Sequence, residues 1–260
     1  MYLREKNLFK FSIERDFMQT TTNPELKKND LNKYINKADE LYKNNSFKDA
    51  ISFYLNAILI DRSNPKSFFG LGLCYKKVKN YEKAILAFKK ASELDKYYYE
   101  AFYEMGVCSL NFGYPEEALR YFIKAIQISP DNPDAISQLG ISHELCGEPE
   151  MSLMIYQKLI ENSPQYIKAY ELKSSLLMKM EMYKEASIVL NQLLKVNPSH
   201  TSALAGIGIC FDKLGKKNDA QRYYRKFLSS NSQLKQVEFV KNRLEKIKSH
   251  SLNKKYLSVV

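Results

Sequence analysis

Apolar residues recur along the chain at spacings of three and four, the period of a helix with one buried face. In one such stretch Phe68, Leu71, Gly72 and Tyr75 stand at i, i+3, i+4 and i+7. A second stretch follows at Ala84, Phe88 and Ala91, and polar residues separate the two. The pattern predicts two short amphipathic helices joined by a turn.

This helical pattern returns every 34 residues. The apolar and small positions of segment 84–91 reappear in segments 50–57 and 118–125. Self-similarity at a fixed period of this length indicates a repeat protein, in which each unit buries its apolar face against its neighbours. The period divides the chain into six frames without a gap: 31–64, 65–98, 99–132, 133–166, 167–200 and 201–234.

Within the frames, certain positions keep a fixed size, and we number the positions of a frame as columns 1 to 34. Columns 8 and 20 are small in all six frames, whereas column 24 is large. A small residue lets two helices approach closely, and a large one fills the space beside it. Column 8 reads Ala38, Gly72, Gly106, Gly140, Ser174, Gly208, and column 24 reads Tyr54, Phe88, Phe122, Tyr156, Leu190, Tyr224.

Turn residues separate the helices. Glycines stand at column 15 of three frames, where a left-handed helix cap is expected. Prolines follow at column 17 in two frames, where a helix can begin without its first N–H, and at column 32 in three, where the second helix must end. These residues are Gly113, Gly147 and Gly215, then Pro115 and Pro149, then Pro130, Pro164 and Pro198.

The residue classes at these columns resemble those of the tetratricopeptide repeat family, over residues 31–234. The resemblance implies an all-α fold, a right-handed α-solenoid of six tandem helix-turn-helix repeats. Residues 235–248 continue a helical apolar pattern and predict a capping helix over the open end of the last repeat. Residues 1–30 match no repeat and are expected to form a partly disordered extension, and residues 249–260 a flexible tail.

The resemblance also implies a binding groove, because in this family the first helices of the pairs line a concave surface with columns 2, 5, 9 and 12. We expect a noncatalytic protein–protein interaction scaffold or adaptor that binds a peptide or amphipathic segment there. The apolar floor would be Phe69, Leu73, Tyr103, Val107, Leu110 and Ile141, with Lys76 beside it, and the acidic border Glu100, Glu104, Asp134 and Glu144. Ordinary packing of neighbouring helices and solvated surface charge are the alternative explanations.

The negative charge of the predicted border favours a basic or amphipathic partner. Some family members bind acidic chaperone tails through a clamp of Lys, Asn and Arg side chains. Ile35, Asp39, Glu100 and Glu104 occupy the corresponding columns here, so an acidic chaperone tail is excluded from the groove.

Charge is uneven along the chain. The 260 residues contain 40 Lys and Arg against 29 Asp and Glu, a net charge of +11. The third and fourth frames are acidic and the C-terminal end is basic. The acidic frames are expected to interrupt any continuous basic surface along which a nucleic acid could bind. Self-assembly and RNA binding through the C-terminal end both stay open, the latter through Lys216, Lys217, Arg222, Arg225, Lys226 and Lys241.

No catalytic constellation and no metal-ligand spacing occurs, so we expect neither an enzyme nor a cofactor. Cys74, Cys108 and Cys210 share column 10 and are expected in the core, as is His143 at column 11. The charged residues near the N-terminus argue against a secretory signal, and no apolar run is long enough for a membrane span. A cytoplasmic location follows from these arguments.

Overall fold

A computed structural model describes residues 31–230 and 236–257 of the chain. In this part of the chain the regular elements are all helices, as the all-α prediction requires. Consecutive helices pair as the frames predict: α1 Leu31–Lys43 with α2 Phe47–Ile60, α3 Pro65–Lys77 with α4 Tyr81–Leu94, α5 Tyr99–Phe112 with α6 Pro115–Ile128, α7 Pro133–Leu145 with α8 Pro149–Asn162, α9 Ile167–Lys179 with α10 Tyr183–Val196, and α11 Thr201–Lys213 with α12 Lys217–Ser229. A further helix, α13, spans Gln236–Leu257.

The chain divides into two compact units, one ending at Ala135 and the other beginning at Ile136. In the first unit a core cluster joins residues from Ala38 to Cys108. In the second unit one cluster extends from Leu159 to Cys210, and another joins Ala205 to Ile247.

The small-against-large packing predicted from the columns is confirmed. A Cβ atom placed on Gly106 would lie 2.6 Å from the ring of Phe122, closer than real Cβ contacts come. Gly72 meets Phe88, and Gly208 meets Tyr224, in the same way. Glycine is therefore required at column 8 of these three repeats, because the column-24 ring of the same repeat occupies the space of a side chain.

The turn within each pair is left-handed at column 15. Gly113, Gly147 and Gly215 have φ angles of 88°, 80° and 74°, as predicted. The other three pairs adopt the same conformation without glycine, at Asn45, Lys79 and Glu181, each with φ of 60°. The sequence pattern did not indicate these three, because a left-handed residue is recognisable in a sequence chiefly when it is glycine.

The last helix covers the end of the last pair, as predicted for a cap. Val240, Leu244 and Ile247 are buried in one cluster with Tyr224 and Phe227 of α12. The helix continues to Leu257, past the predicted end at residue 248, so the segment expected to be a flexible tail is helical through 257. The predicted N-terminal extension, 1–30, and residues 258–260 lie outside the described residues.

The cysteines of column 10 belong to the core, which confirms the sequence interpretation. Cys74, Cys108 and Cys210 are fully buried. Burial raises the pKa of the Cys74 and Cys108 thiols to about 12 and that of Cys210 to about 11, so all three stay protonated at neutral pH. His143 is half-buried, with its Nδ1 atom 2.6 Å from Oε2 of Glu148.

Candidate functional site

The predicted floor in the first unit lies on two first helices, α3 and α5. Phe69 and Leu73 belong to α3, and Tyr103, Val107 and Leu110 to α5. All five are half-buried, so each contributes to packing and still presents part of its side chain to solvent. Ile141, the sixth floor residue, is also half-buried and belongs to α7 in the second unit.

Aromatic rings hold the floor side chains in place. The Phe69 ring lies 5.4 Å from that of Phe88 and 4.9 Å from that of Tyr98. The Tyr103 ring meets Phe122 edge-on at 5.8 Å. Since Phe122 also packs on Gly106, the close helix approach at column 8 determines where the Tyr103 ring can lie.

Tyr98 is a residue of this surface that the groove columns did not include. It lies between α4 and α5, and its ring packs against that of Phe69 at a tilt of 34°. Burial, together with the nearby charges of Glu100 and Asp95, raises the pKa of its hydroxyl to about 12. The hydroxyl is therefore neutral at neutral pH and can donate a hydrogen bond beside Glu100.

An ion pair crosses from α3 to α5. The Nζ atom of Lys76 lies 2.5 Å from Oε2 of Glu104, and the two side chains are only 22% and 15% exposed. Glu104, predicted as a border charge, is thus neutralised by Lys76, the basic residue predicted beside the floor. The pair links neighbouring repeats through side chains 28 positions apart in the sequence.

The other border residues differ from one another. Glu100 is half-buried and Asp134 is exposed, both in the first unit. In the second unit Glu144 lies 3.0 Å from Nζ of Lys179, so it too is paired. Cations from neighbouring repeats therefore neutralise Glu104 in the first unit and Glu144 in the second, which the sequence did not predict.

Pairs between neighbouring first helices recur in the second unit. His200 accepts a hydrogen bond from the backbone N–H of Ala203 and places Nε2 3.0 Å from Glu171. Arg243 of α13 donates to Asp212 of α11, with one contact of 3.0 Å. The signal in the sequence is a His or cationic residue and a carboxylate separated by slightly more or less than one repeat length.

The described part of the chain contains no group of three or more His, Cys, Asp or Glu side chains that could hold a metal ion. Nor does any helix in it have the length and apolar character needed to cross a bilayer. The arrangement offers half-buried aromatic and aliphatic side chains beside paired polar groups such as Lys76 and Glu104.

Family models match three parts of the chain. Tetratricopeptide repeat models match residues 65–98 and 99–132, the second and third frames. The model of the coatomer epsilon subunit matches residues 146–253. Comparison with curated protein sequences gave no match.

Solved structures with the same fold were also found. YrrB, described as a TPR protein with an unusual peptide-binding site, is 20% identical, with a TM-score of 0.56 over 73% of this chain and 97% of its own. PilW, described as a type IV pilus biogenesis factor, is 17% identical, with a TM-score of 0.66 over 81% and 97%. A tetratricopeptide repeat protein from Parabacteroides merdae is 16% identical, with a TM-score of 0.59 over 95% and 94%.

The family models, the helix bounds and the structural neighbours agree on one architecture. The models match where the frames predict repeats. The structural neighbours show the same helical fold at low identity. Residues 65–132 thus carry tetratricopeptide repeats, and the described helices have the fold of tetratricopeptide repeat proteins.

Proposed function

We propose that this chain is a noncatalytic scaffold that binds a segment of a partner protein on the first helices α3 and α5. The observation that carries this proposal is that Phe69, Leu73 and Tyr103 are half-buried. The rings of Phe69 and Tyr103 are held by the core rings of Phe88 and Phe122, while part of each side chain faces solvent. Such ordered, partly exposed aromatic anchors are the residues that dominate binding energy in protein interfaces.

The paired charges beside the floor refine the kind of partner. Lys76 and Glu104 neutralise each other, so the surface between α3 and α5 is apolar with little net charge. Glu100, half-buried at the start of α5, supplies acidic character beside it. An amphipathic segment with an apolar face and a few basic residues fits this combination.

The comparisons support binding as the function. YrrB is described as having a peptide-binding site, and the coatomer epsilon subunit is by its name one part of an assembly. Neither identifies a partner for this chain. The four free cysteines, three of them buried, accord with a cytoplasmic location, which we propose together with the function.

The test compares two aromatic truncations on one helix. Tyr103→Ala removes a floor anchor and should weaken partner binding by about 1–3 kcal/mol, a loss of roughly 5- to 150-fold in affinity. Phe112→Ala, at the end of α5 and 41% exposed, is the matched control and should retain the partners. Affinity capture with each variant, read by quantitative mass spectrometry, gives the comparison.

A melting curve separates binding from folding. Both variants should melt close to the original chain, because neither side chain is fully buried. If Tyr103→Ala keeps every partner but loses several kcal/mol of stability, Tyr103 is a core residue and the proposed surface is wrong.

The Lys76–Glu104 pair provides an independent check. Either charge reversal alone should destabilise the fold, because it places two like charges in a half-buried site. Exchanging the two, Lys76→Glu with Glu104→Lys, should restore stability. If the double variant also binds the same partners with unchanged affinity, the partner makes no specific contact with the Lys76 or Glu104 side chain.

A further inference from the structure

The last helix pair carries a group of cations arranged around two aromatic rings. The rings of Phe211 in α11 and Tyr223 in α12 lie 5.6 Å apart and are tilted by 31°. Lys216 places its Nζ atom 5.9 Å from the centre of the Phe211 ring. The guanidinium carbon Cζ of Arg222 and the Nζ atom of Lys226 lie 5.2 Å and 5.6 Å from the centre of the Tyr223 ring. The rings thus order three cationic side chains within a small area.

We call Lys216, Lys217, Arg222, Arg225 and Lys226 the cation cluster. All five are exposed. Arg222 has a carboxylate, Asp219, at 3.8 Å, near the limit of an ion pair. Among the described residues, no carboxylate comes within ion-pair distance of the other four.

The carboxylate of Asp212, which follows Phe211 in the sequence, already has hydrogen-bond partners. Asp212 accepts hydrogen bonds from Arg243 and, at 3.3 Å, from the Tyr224 hydroxyl. It is therefore directed toward α13 and does not neutralise the cluster. Cations held close together without counter-charges repel each other, and a bound anion would relieve that repulsion.

The repeat architecture does not require these cations. They occupy columns 16, 17, 22, 25 and 26 of the sixth frame, and each of the other five frames has at most two cations at those columns. The fifth frame has none there, with Met182, Tyr183, Ile188, Asn191 and Gln192 in the equivalent places. The helix pair forms with or without cations at these columns, so the repeat fold does not require the cation cluster.

We propose that the cation cluster is a docking site for an acidic segment of a partner protein, additional to the surface on α3 and α5. The helix α12 has 13 residues. It is therefore about 20 Å long, and an extended segment of about six residues runs along its length. Arg222 and Arg225 can each bind a carboxylate through two N–H donors.

Two features favour a carboxylate-rich peptide over a single-stranded nucleic acid. Bases bind such surfaces by stacking on open aromatic rings. Here the Phe211 and Tyr223 rings are half-buried and have cations over them, so little ring surface is left for a base. The cluster offers charge and hydrogen-bond donors, the groups that bind carboxylates.

The test measures binding of a synthetic acidic probe to the full chain. A fluorescein-labelled peptide of about eight residues, alternating Glu and Ser, is long enough to follow α12. Anisotropy titrations at low and moderate salt should show binding that weakens as salt rises. Arg225→Glu with Lys226→Glu should weaken binding by at least about tenfold.

The matched control makes the same charge change at the same columns elsewhere. Lys89→Glu with Lys158→Glu alters columns 25 and 26 of the second and fourth frames. This control should change binding by less than about twofold, since its sites lie in other helices. Arg225→Gln with Lys226→Gln serves as a milder variant should the Glu variant melt early, and it should weaken binding by about fivefold.

Four results would overturn the proposal. The original chain fails to bind the acidic peptide, or the control loses as much affinity as the cluster variant. A uridine oligonucleotide of equal length binds more tightly than the peptide, which would assign the surface to RNA. Sedimentation velocity shows salt-sensitive self-association that the cluster variant abolishes, which would assign it to a second copy of the chain.

Discussion

At the scale of single residues, one contact recurs in four of the repeats. The glycines at column 8 each face the ring at column 24 of the same repeat, and a built Cβ would lie 2.3 to 2.6 Å from that ring. Where column 8 is Ala38 or Ser174, the residue is still small and buried. The contact determines how closely the helices of a pair approach, and through Phe122 it also positions Tyr103, a residue of the proposed binding surface.

Enlarging this position should destabilise the fold. Gly106→Leu forces a side chain into the ring of Phe122, and we expect a loss of about 1–3 kcal/mol or more in the free energy of unfolding. Ala118→Leu, at the fully buried column 20, should have a similar cost. Urea titration of each variant gives the measurement.

A second substitution identifies the cause of that loss. Phe122→Leu removes the ring that Gly106 faces, so Gly106→Ala should cost less in the Phe122→Leu background than alone. If the two effects add without interaction, the steric explanation is incorrect.

At the scale of elements, the turn within each pair is the same whether or not it contains glycine. Lys79 donates its N–H to the carbonyl of Lys76 at 3.0 Å, and Asn80 donates to Tyr75 at 2.9 Å. Gly113 and Tyr114 make the equivalent bonds to Leu110 and Ser109. Tertiary packing of the two helices therefore imposes the left-handed residue, and the local sequence only modulates its cost.

Glycine at a non-glycine turn should stabilise the protein. A left-handed conformation costs an L-residue about 1–2 kcal/mol, partly offset by the greater chain entropy of glycine when unfolded. Lys79→Gly and Glu181→Gly should each raise the free energy of unfolding by about 0.5–1 kcal/mol. Chemical denaturation measures the change.

The reverse substitution is the control for that prediction. Gly113→Ala should lower stability by about 1 kcal/mol through backbone strain alone. A Cβ there would meet no atom within 4 Å, so crowding makes no contribution. Stabilisation by Gly113→Ala would contradict the assignment of this turn.

At the scale of the whole molecule, the described residues bury their apolar side chains in successive clusters along the chain. The cluster around Phe88 lies in the first unit, and the clusters around Leu193 and Tyr224 lie in the second. In such repeat proteins each element contacts its neighbours in the chain, so stability is approximately the sum of local terms.

Removing α13 should therefore have a local effect. A chain ending at residue 230 loses Val240, Leu244 and Ile247 and exposes the apolar side of α12. We expect a loss of about 3 kcal/mol or more, because each buried aliphatic side chain contributes about 1.5–3 kcal/mol. The melting temperature should fall and binding of an apolar dye should rise.

Hydrogen exchange shows whether the effect is local. Amides around Tyr224 should lose protection, while those around Phe88 in the first unit should keep theirs. A chain ending at residue 248 is the control, because it keeps the three buried side chains. Uniform loss of protection in the chain ending at 230 would contradict the local model.

The sequence by itself determined the helices, their pairing and the small and large positions of the core. These features depend on residue size and on apolar spacing, both of which recur every 34 residues and are visible in the sequence. It also placed Phe69, Leu73 and Tyr103 outside the core columns, and the structure shows them half-buried. Whether they bind a partner stays a prediction.

Only the tertiary structure decided which charges meet. Lys76 and Glu104 lie 28 positions apart, and Glu144 and Lys179 lie 35 apart, so neither pair follows from the pattern of a single helix. The order of Lys216, Arg222 and Lys226 around Phe211 and Tyr223 likewise depends on how α11 and α12 pack. Long charged side chains are flexible, so their partners depend on which groups the fold brings within reach. Residue type and sequence spacing do not specify those distances.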